Sequence, residues 1–171
     1  MGVSRVFAGL GKIVQGLSKI LNVIGISILA VLMFFTVTDV CLRYFFNRPF
    51  ASSFELTEFM MAVVVSFGLA YTATKGGHIG VDLITSRLPR NVEAGFACVS
   101  HLISTGVFAL VTWQSFLQAK TLYYSGLESE VLYIPVFPFV AATGFGFALL
   151  CLVFLGNFFN SLSRMIEEWN H

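Results

Sequence analysis

Residues 20–37 read ILNVIGISILAVLMFFTV, an unbroken stretch without a charged side chain. A helix needs about 20 mostly apolar residues to cross a hydrocarbon core of roughly 30 Å. Arg5, Lys12 and Lys19 precede the stretch, as in a secretory signal peptide. However, the stretch is too long for such a peptide, and no A-x-A-like site follows it. It therefore predicts a first transmembrane helix, over about residues 20–42, that stays uncleaved.

Three further apolar stretches follow the first, over about residues 56–74, 92–117 and 131–159. They are long and continuous, without the alternation that marks the strands of a membrane barrel. Only 11% of the 171 residues are charged, whereas soluble domains carry about 25%. We predict an all-α integral membrane protein, with residues 1–171 forming a single membrane domain of four spans.

The Lys and Arg residues divide unequally between the two sides that four spans create. Seven fall on the side of the termini and the 75–91 loop, and three fall on the other side. The seven are Arg5, Lys12, Lys19, Lys75, Arg87, Arg90 and Arg164. The positive-inside rule then places both termini in the cytoplasm, as in a multi-pass protein of the bacterial inner membrane. A net charge of +1 gives no electrostatic basis for binding nucleic acid.

Apolar residues recur at helical spacing before the first span. They are Val3, Val6, Phe7, Leu10, Ile13, Val14 and Leu17. Basic residues lie between them, which predicts a cationic amphipathic helix against the lipid of the inner leaflet. The alternative is a frayed leader weakened by its glycines.

Polar residues cluster near the ends of the first two spans. Asp39 and Arg43 are four apart, so they lie on one helix face and are able to pair. Their place near the headgroups favours an interfacial ion pair over a coupling-ion site. Glu55 opens the second span, and its spacing from Ser52 is that of a capping box.

The remaining polar and small residues favour structural roles. His78 and Asp82 are four apart after a Gly turn, and they are too few to form a metal site. His101 has no second intramembrane histidine with which to hold haem, so no cofactor is predicted. Ala142 and Gly146 form a small-xxx-small pair that permits close helix packing. No nucleotide-binding, nucleophile or zinc motif appears, so nothing indicates an enzyme.

Two motifs are more specific than composition. The first is Arg43-Tyr44-Phe-Phe-Asn47, after the first span and before Glu55; the second is Gly76-Gly-His78-Ile-Gly-Val-Asp82, after the second span. Both resemble elements of the small membrane subunit of tripartite ATP-independent periplasmic (TRAP) transporters. The length, the four spans and the predicted cytoplasmic termini agree with that family. Ser52, Ser53 and Phe54 stand where the family often has a Trp and a Glu pair, which leaves the subfamily open.

The resemblance implies a division of labour among three proteins. A large multi-span permease subunit would carry the substrate and sodium sites, and a periplasmic substrate-binding protein would deliver an organic acid. This chain would be a fixed scaffold. Residues that would lock its fold or contact the large subunit are Arg43, Tyr44, Asn47, Glu55, His78 and Asp82. The substrate stays open among dicarboxylates, sialic acids, other sugar acids and amino-acid-like solutes.

Two alternatives come from other functional classes. A self-sufficient small transporter or channel predicts polar residues that converge at the bilayer midplane. A membrane anchor for a redox complex predicts cofactor ligands or a quinone pocket, for which His101 is the single candidate within a span.

Overall fold

A computed structural model of the chain describes residues 2–47, 50, 52–75 and 90–169. The described part forms four helices: α1 (Gly2–Phe46), α2 (Ser53–Thr74), α3 (Arg90–Ser125) and α4 (Phe137–Trp169). Each contains a segment that is long and apolar enough to cross a membrane: Ile13–Phe46, Ser53–Thr74, Cys98–Ser125 and Phe137–Phe159. The prediction of an all-α membrane protein with four spans is confirmed.

The helices and the predicted spans have different bounds. The hydropathy of the sequence locates the apolar part of each helix, whereas the backbone hydrogen bonds that define the helix continue into the polar residues beyond it. Accordingly, α3 runs past Leu117 through Gln118 and Lys120 to Ser125. At the other extreme, α4 begins at Phe137, later than the predicted start at residue 131. The residues before it fold into a turn, and Pro135, which has no N–H to donate, lies in that turn.

The N-terminal segment is helical, as predicted, but it is not a separate element. α1 continues from Gly2 to Phe46 without a break. Val14 and Leu17, two of the apolar residues assigned to a lipid-facing side, pack instead against the protein core. Ser18 beside them is fully buried. At least this part of the amphipathic pattern therefore stabilises the bundle, because its apolar side chains meet other helices.

The core forms around α4, which contacts α1, α2 and α3. Among the described helices, α3 contacts only α4. The buried apolar residues of the core are Leu21, Val63, Phe67, Ala70, Ala73, Leu149, Leu150, Val153 and Phe154. Phe108 of α3 stacks on Phe154, with ring centroids 5.4 Å apart. The outward faces of α1 and α3 stay exposed and are largely apolar, as expected for surfaces that meet lipid or another membrane protein.

Candidate functional site

Two connecting segments lie at one end of the bundle. The first joins α1 to α2, and the structure describes residues 47, 50 and 52 of it; the second, residues 126–136, joins α3 to α4. We call this end of the bundle the two-loop end. Glu55, in the first turn of α2, bonds to backbone groups of the 126–136 segment, so both segments lie at the same end. In this region acidic side chains accept hydrogen bonds from backbone N–H groups that are distant in sequence.

Asp39 holds the first connecting segment. Its Oδ2 accepts a hydrogen bond from Arg43 Nη2 at 3.2 Å, and its Oδ1 accepts one from the Phe50 N–H at 2.8 Å. The Asp39 residue is only 4% exposed, whereas the Arg43 side chain is 51% exposed. Both carboxylate oxygens are therefore engaged, one by the ion pair that the spacing predicted and one by the returning chain.

Asn47 ends α1 in a left-handed conformation, with φ of 52°. Among residues other than glycine, Asn is one of the few that adopt this region readily, because its short polar side chain relieves the local cost. The chain leaves the helix at this residue, and Phe50 then reaches Asp39. Tyr44 lies one turn earlier, is 84% exposed, and has an edge-on contact with Phe45.

The 126–136 segment folds into a compact turn. Gly126 follows α3 with φ of 61°, and Tyr133 has φ of 52°. The Ser129 N–H donates to the Ile134 carbonyl at 2.9 Å, and the Tyr133 N–H donates to the Ser129 carbonyl at 3.2 Å. These backbone bonds do not involve the N–H groups of residues 130–132.

Glu55 receives these three N–H groups. Its Oε1 accepts from Glu130 at 2.9 Å, and its Oε2 accepts from Leu132 at 3.1 Å. The Val131 N–H lies 3.2 and 3.4 Å from the two oxygens. The buried Ser129 hydroxyl accepts a further hydrogen bond from the Leu132 N–H, at 3.4 Å. Successive N–H groups around one anion form a nest, in which hydrogen bonds to a charged acceptor are stronger than neutral ones.

This arrangement replaces the predicted capping box. Ser52 occupies the N-cap position of α2, but its side chain makes no capping hydrogen bond. Its φ of −86° and ψ of −1° belong to the helical region, not to the extended region that a capping side chain favours. Because three N–H groups of the 126–136 segment engage Glu55, its carboxylate does not turn back to Ser52.

His78 and Asp82, the other two motif residues, lie outside the described residues. Of the six residues singled out from the motifs, the structure therefore brings Arg43, Asn47 and Glu55 to the two-loop end. Tyr44 lies near the same end of α1, with its ring exposed.

The small residues of α4 lie at helix crossings. A Cβ added to Gly146 would stand 2.7 Å from Ser66 Oγ and 3.0 Å from the Ser66 backbone carbonyl carbon. Ser66 is fully buried, and its hydroxyl donates to the Val63 carbonyl at 2.9 Å. Ala142, one turn before Gly146, packs against the core. Gly144 faces Ser115 of α3, where an added Cβ would stand 3.1 Å from the Ser115 Cβ.

The described part of the chain holds no group of three or more His, Cys, Asp and Glu side chains placed to bind a metal ion. His101 lies beside the Phe154 ring, with ring centroids 6.3 Å apart. Within the spans, the hydroxyls of Thr36, Thr57 and Thr105 donate to carbonyls one turn earlier in their own helix. These hydroxyls and the carboxylates of Asp39 and Glu55 therefore bond to groups of this chain's own helices and connecting segments.

Sequence reasoning missed several residues that the structure makes prominent. Ser129 and Ser66 were not singled out, because a lone serine has no pattern that reveals its partner. Gln114 and Gln118 were also missed, although an amide inside a predicted or extended span is a detectable signal. They line a groove of about 340 Å³ with Val111, Ser115 and Val140.

Comparison with known proteins identifies relatives along most of the chain. The family model for the DctQ component of tripartite ATP-independent periplasmic transporters matches residues 11–164. A TRAP transporter small permease protein of Haemophilus influenzae is 26% identical over 129 residues, which cover 72% of this chain and 78% of that protein. The C4-dicarboxylate TRAP transporter small permease protein DctQ of Pseudomonas aeruginosa is 30% identical over 77 residues, 45% of this chain and 37% of that protein. No solved structure matches the chain.

Proposed function

We propose that this chain, which belongs to the family of DctQ components of tripartite ATP-independent periplasmic transporters, is the non-catalytic scaffold subunit of such a transporter. It holds a large permease subunit in the inner membrane while that subunit moves an organic acid together with sodium. A periplasmic binding protein delivers the organic acid. The family match over residues 11–164 carries this proposal.

The use of the acidic groups supports a static role. A transport site needs ionisable or polar groups that face substrate inside the membrane. Here Asp39 and Glu55 have both carboxylate oxygens engaged by groups of the same chain. A subunit whose carboxylates hold its own loops is suited to staying fixed while its partner moves.

The two-loop end is the periplasmic end under this proposal. The positive-inside rule supports that orientation, because the side that holds Arg43, Arg48 and Lys120 has fewer Lys and Arg residues. Both termini then lie in the cytoplasm. Tyr44, Tyr123 and Tyr124 are exposed near this end, where aromatic side chains favour the boundary between lipid and water. Arg43, Tyr44, Asn47, His78 and Asp82 contact the large subunit or maintain the local fold.

The test is purification of the tagged chain from its native membrane in mild detergent, followed by reconstitution. We expect a large multi-span permease to co-purify in equal amount. Vesicles that contain both subunits should take up a labelled organic acid, from a panel of dicarboxylates, sialic acids and sugar acids. Uptake should require the periplasmic binding protein and an inward sodium gradient.

Vesicles that contain the chain alone are the control, and they should show no uptake. Uptake by the chain alone would overturn the proposal in favour of a self-sufficient transporter. A chain that purifies with a flavoprotein or with haem absorbance would instead establish a redox anchor.

A further inference from the structure

Two glutamines lie exposed inside the third span. Gln114 and Gln118 are one turn apart on α3, so they share one side of the helix. The span ends at Ser125, next to the exposed rings of Tyr123 and Tyr124. At a rise of about 1.5 Å per residue, Gln114 lies about 16 Å from that end. This depth is close to the middle of a hydrocarbon core of roughly 30 Å.

Neither amide has a hydrogen-bond partner within the described part of the bundle. Among the residues that the structure describes, none makes a hydrogen bond to Gln114 or Gln118, whereas Ser115 between them donates to the Val111 carbonyl at 2.8 Å. Lipid tails offer no donor or acceptor, so an amide that faces them loses the hydrogen bonds that it made in water. Leaving this side of α3 exposed to lipid therefore costs free energy, which a partner with hydrogen-bonding groups would recover.

The amides border a groove and not a flat surface. Val111, Gln114, Ser115 and Gln118 of α3 form one side, Val140 of α4 forms the other, and the groove has a volume of about 340 Å³. Near its floor the two helices come close, because Gly144 faces Ser115 there. This side of α3 is uncovered in the described part of the bundle, since α3 contacts only α4.

We infer that this groove receives a transmembrane helix of the large permease subunit, and that polar groups of that helix hydrogen-bond to Gln114 and Gln118. The inference rests on the proposed function, which supplies a large membrane partner. Glutamine side chains make hydrogen bonds between helices in membranes, where small residues allow close approach. A convex helix that carries a donor or acceptor fills the groove and satisfies both amides.

A second copy of this chain fits less well. If a two-fold axis passed through the groove, the groove of one copy would face the groove of the other and its floor would stay unfilled. A lipid tail fills the volume but leaves both amides unpaired. The permease helix is the occupant that meets both the shape and the polarity of this surface.

The test places a photo-crosslinking amino acid in the full chain, expressed with its transporter in the native membrane. Position 114 or 118 carries the probe in separate variants. Position 113 carries it as the matched control, because Trp113 is exposed at the same depth but does not line the groove. We expect a cross-linked product with the large permease from 114 and 118, at least tenfold more abundant than from 113.

A second measurement uses substitutions. Q114L combined with Q118L keeps the helix apolar, so the chain should still insert and accumulate at its normal level. We expect at least tenfold less permease to co-purify with it, and normal co-purification with the control W113L. Normal co-purification with the double variant would overturn the inference.

The outcomes separate this inference from the proposed function. Two results would refute the groove as the binding site but leave the scaffold role intact. One is a permease that co-purifies normally but cross-links only from position 113; the other is a cross-link from 114 or 118 to lipid or to a second copy. If no permease co-purifies with the unmodified chain, both the proposed function and this inference are refuted.

Discussion

Replacing Gly146 with alanine probes the closest approach between α2 and α4. The added Cβ would stand 2.9 Å from the Ser66 Cβ and 3.0 Å from the Ser66 carbonyl carbon. Nonbonded carbon atoms prefer separations of about 3.5–4.0 Å. Rotating the serine hydroxyl relieves the contact with Oγ but not the contacts with Cβ and backbone, so the helices must separate by about 0.5 Å.

The cost of this separation falls on the surrounding core. A gap of about 0.5 Å forfeits roughly a quarter of the attraction in each affected contact. Phe67, Leu149 and Leu150 are buried in the same core cluster as the crossing and lose such contacts. Overpacking of this kind destabilises proteins by about 1–3 kcal/mol. For a chain of this length, 2 kcal/mol corresponds to a decrease in Tm of roughly 4–8 °C.

The assay is thermal unfolding of the purified chain in detergent. Gly156→Ala is the matched control, because it lies on the same helix and an added Cβ there meets nothing within 4 Å. Any gain in helix propensity, about 1 kcal/mol in water, is common to both variants. The difference in Tm between the two variants therefore measures the steric clash.

A double variant sharpens the test. Combining Gly146→Ala with Ser66→Gly removes the serine Cβ and Oγ, and it should recover part of the lost Tm through a coupling between the two positions. If Gly146→Ala and Gly156→Ala have the same Tm, α2 and α4 do not approach at Gly146, and the packing described here is refuted.

Three further predictions concern the two-loop end. Glu55→Gln puts an amide where three N–H groups converge, so hydrogen exchange at residues 130–132 should accelerate, whereas Glu58→Gln, an exposed change one turn later, should leave it unchanged. Asp39→Ala should lower the free energy of unfolding by about 1.5–3 kcal/mol, because it removes the carboxylate that accepts from the Phe50 N–H. Arg43→Gln should cost only about 0–1 kcal/mol, because that side chain is half exposed; equal losses of Tm would contradict this ranking. Asn47→Val should cost about 1–2 kcal/mol at a φ of 52°, and Asn47→Gly should be tolerated; tolerance of both in the same Tm assay would show that the turn does not need a left-handed residue.

The class of fold and the family were accessible from the amino-acid sequence, for physical reasons that act locally. Lipid offers no hydrogen bonds, so a span must satisfy its backbone internally, and a long, continuous apolar stretch such as residues 20–37 does so as a helix. The Asp39–Arg43 pair is also local, because four residues bring two side chains to one helix face. The motifs at residues 43–47 and 76–82, with Glu55 between them, identified the family, and the match over residues 11–164 confirms it.

Only the tertiary structure decided which distant groups meet. Glu55 has the spacing of a capping box with Ser52, yet its carboxylate binds N–H groups more than seventy residues away. Gly146 is recognisable as a small residue, but Ser66 is revealed as its neighbour only when α2 and α4 cross. Gln114 and Gln118 are identified as a candidate contact surface only because α4 completes the groove that they line. Periodicity along one helix specifies which face is apolar, but it carries no information about which other helix covers that face.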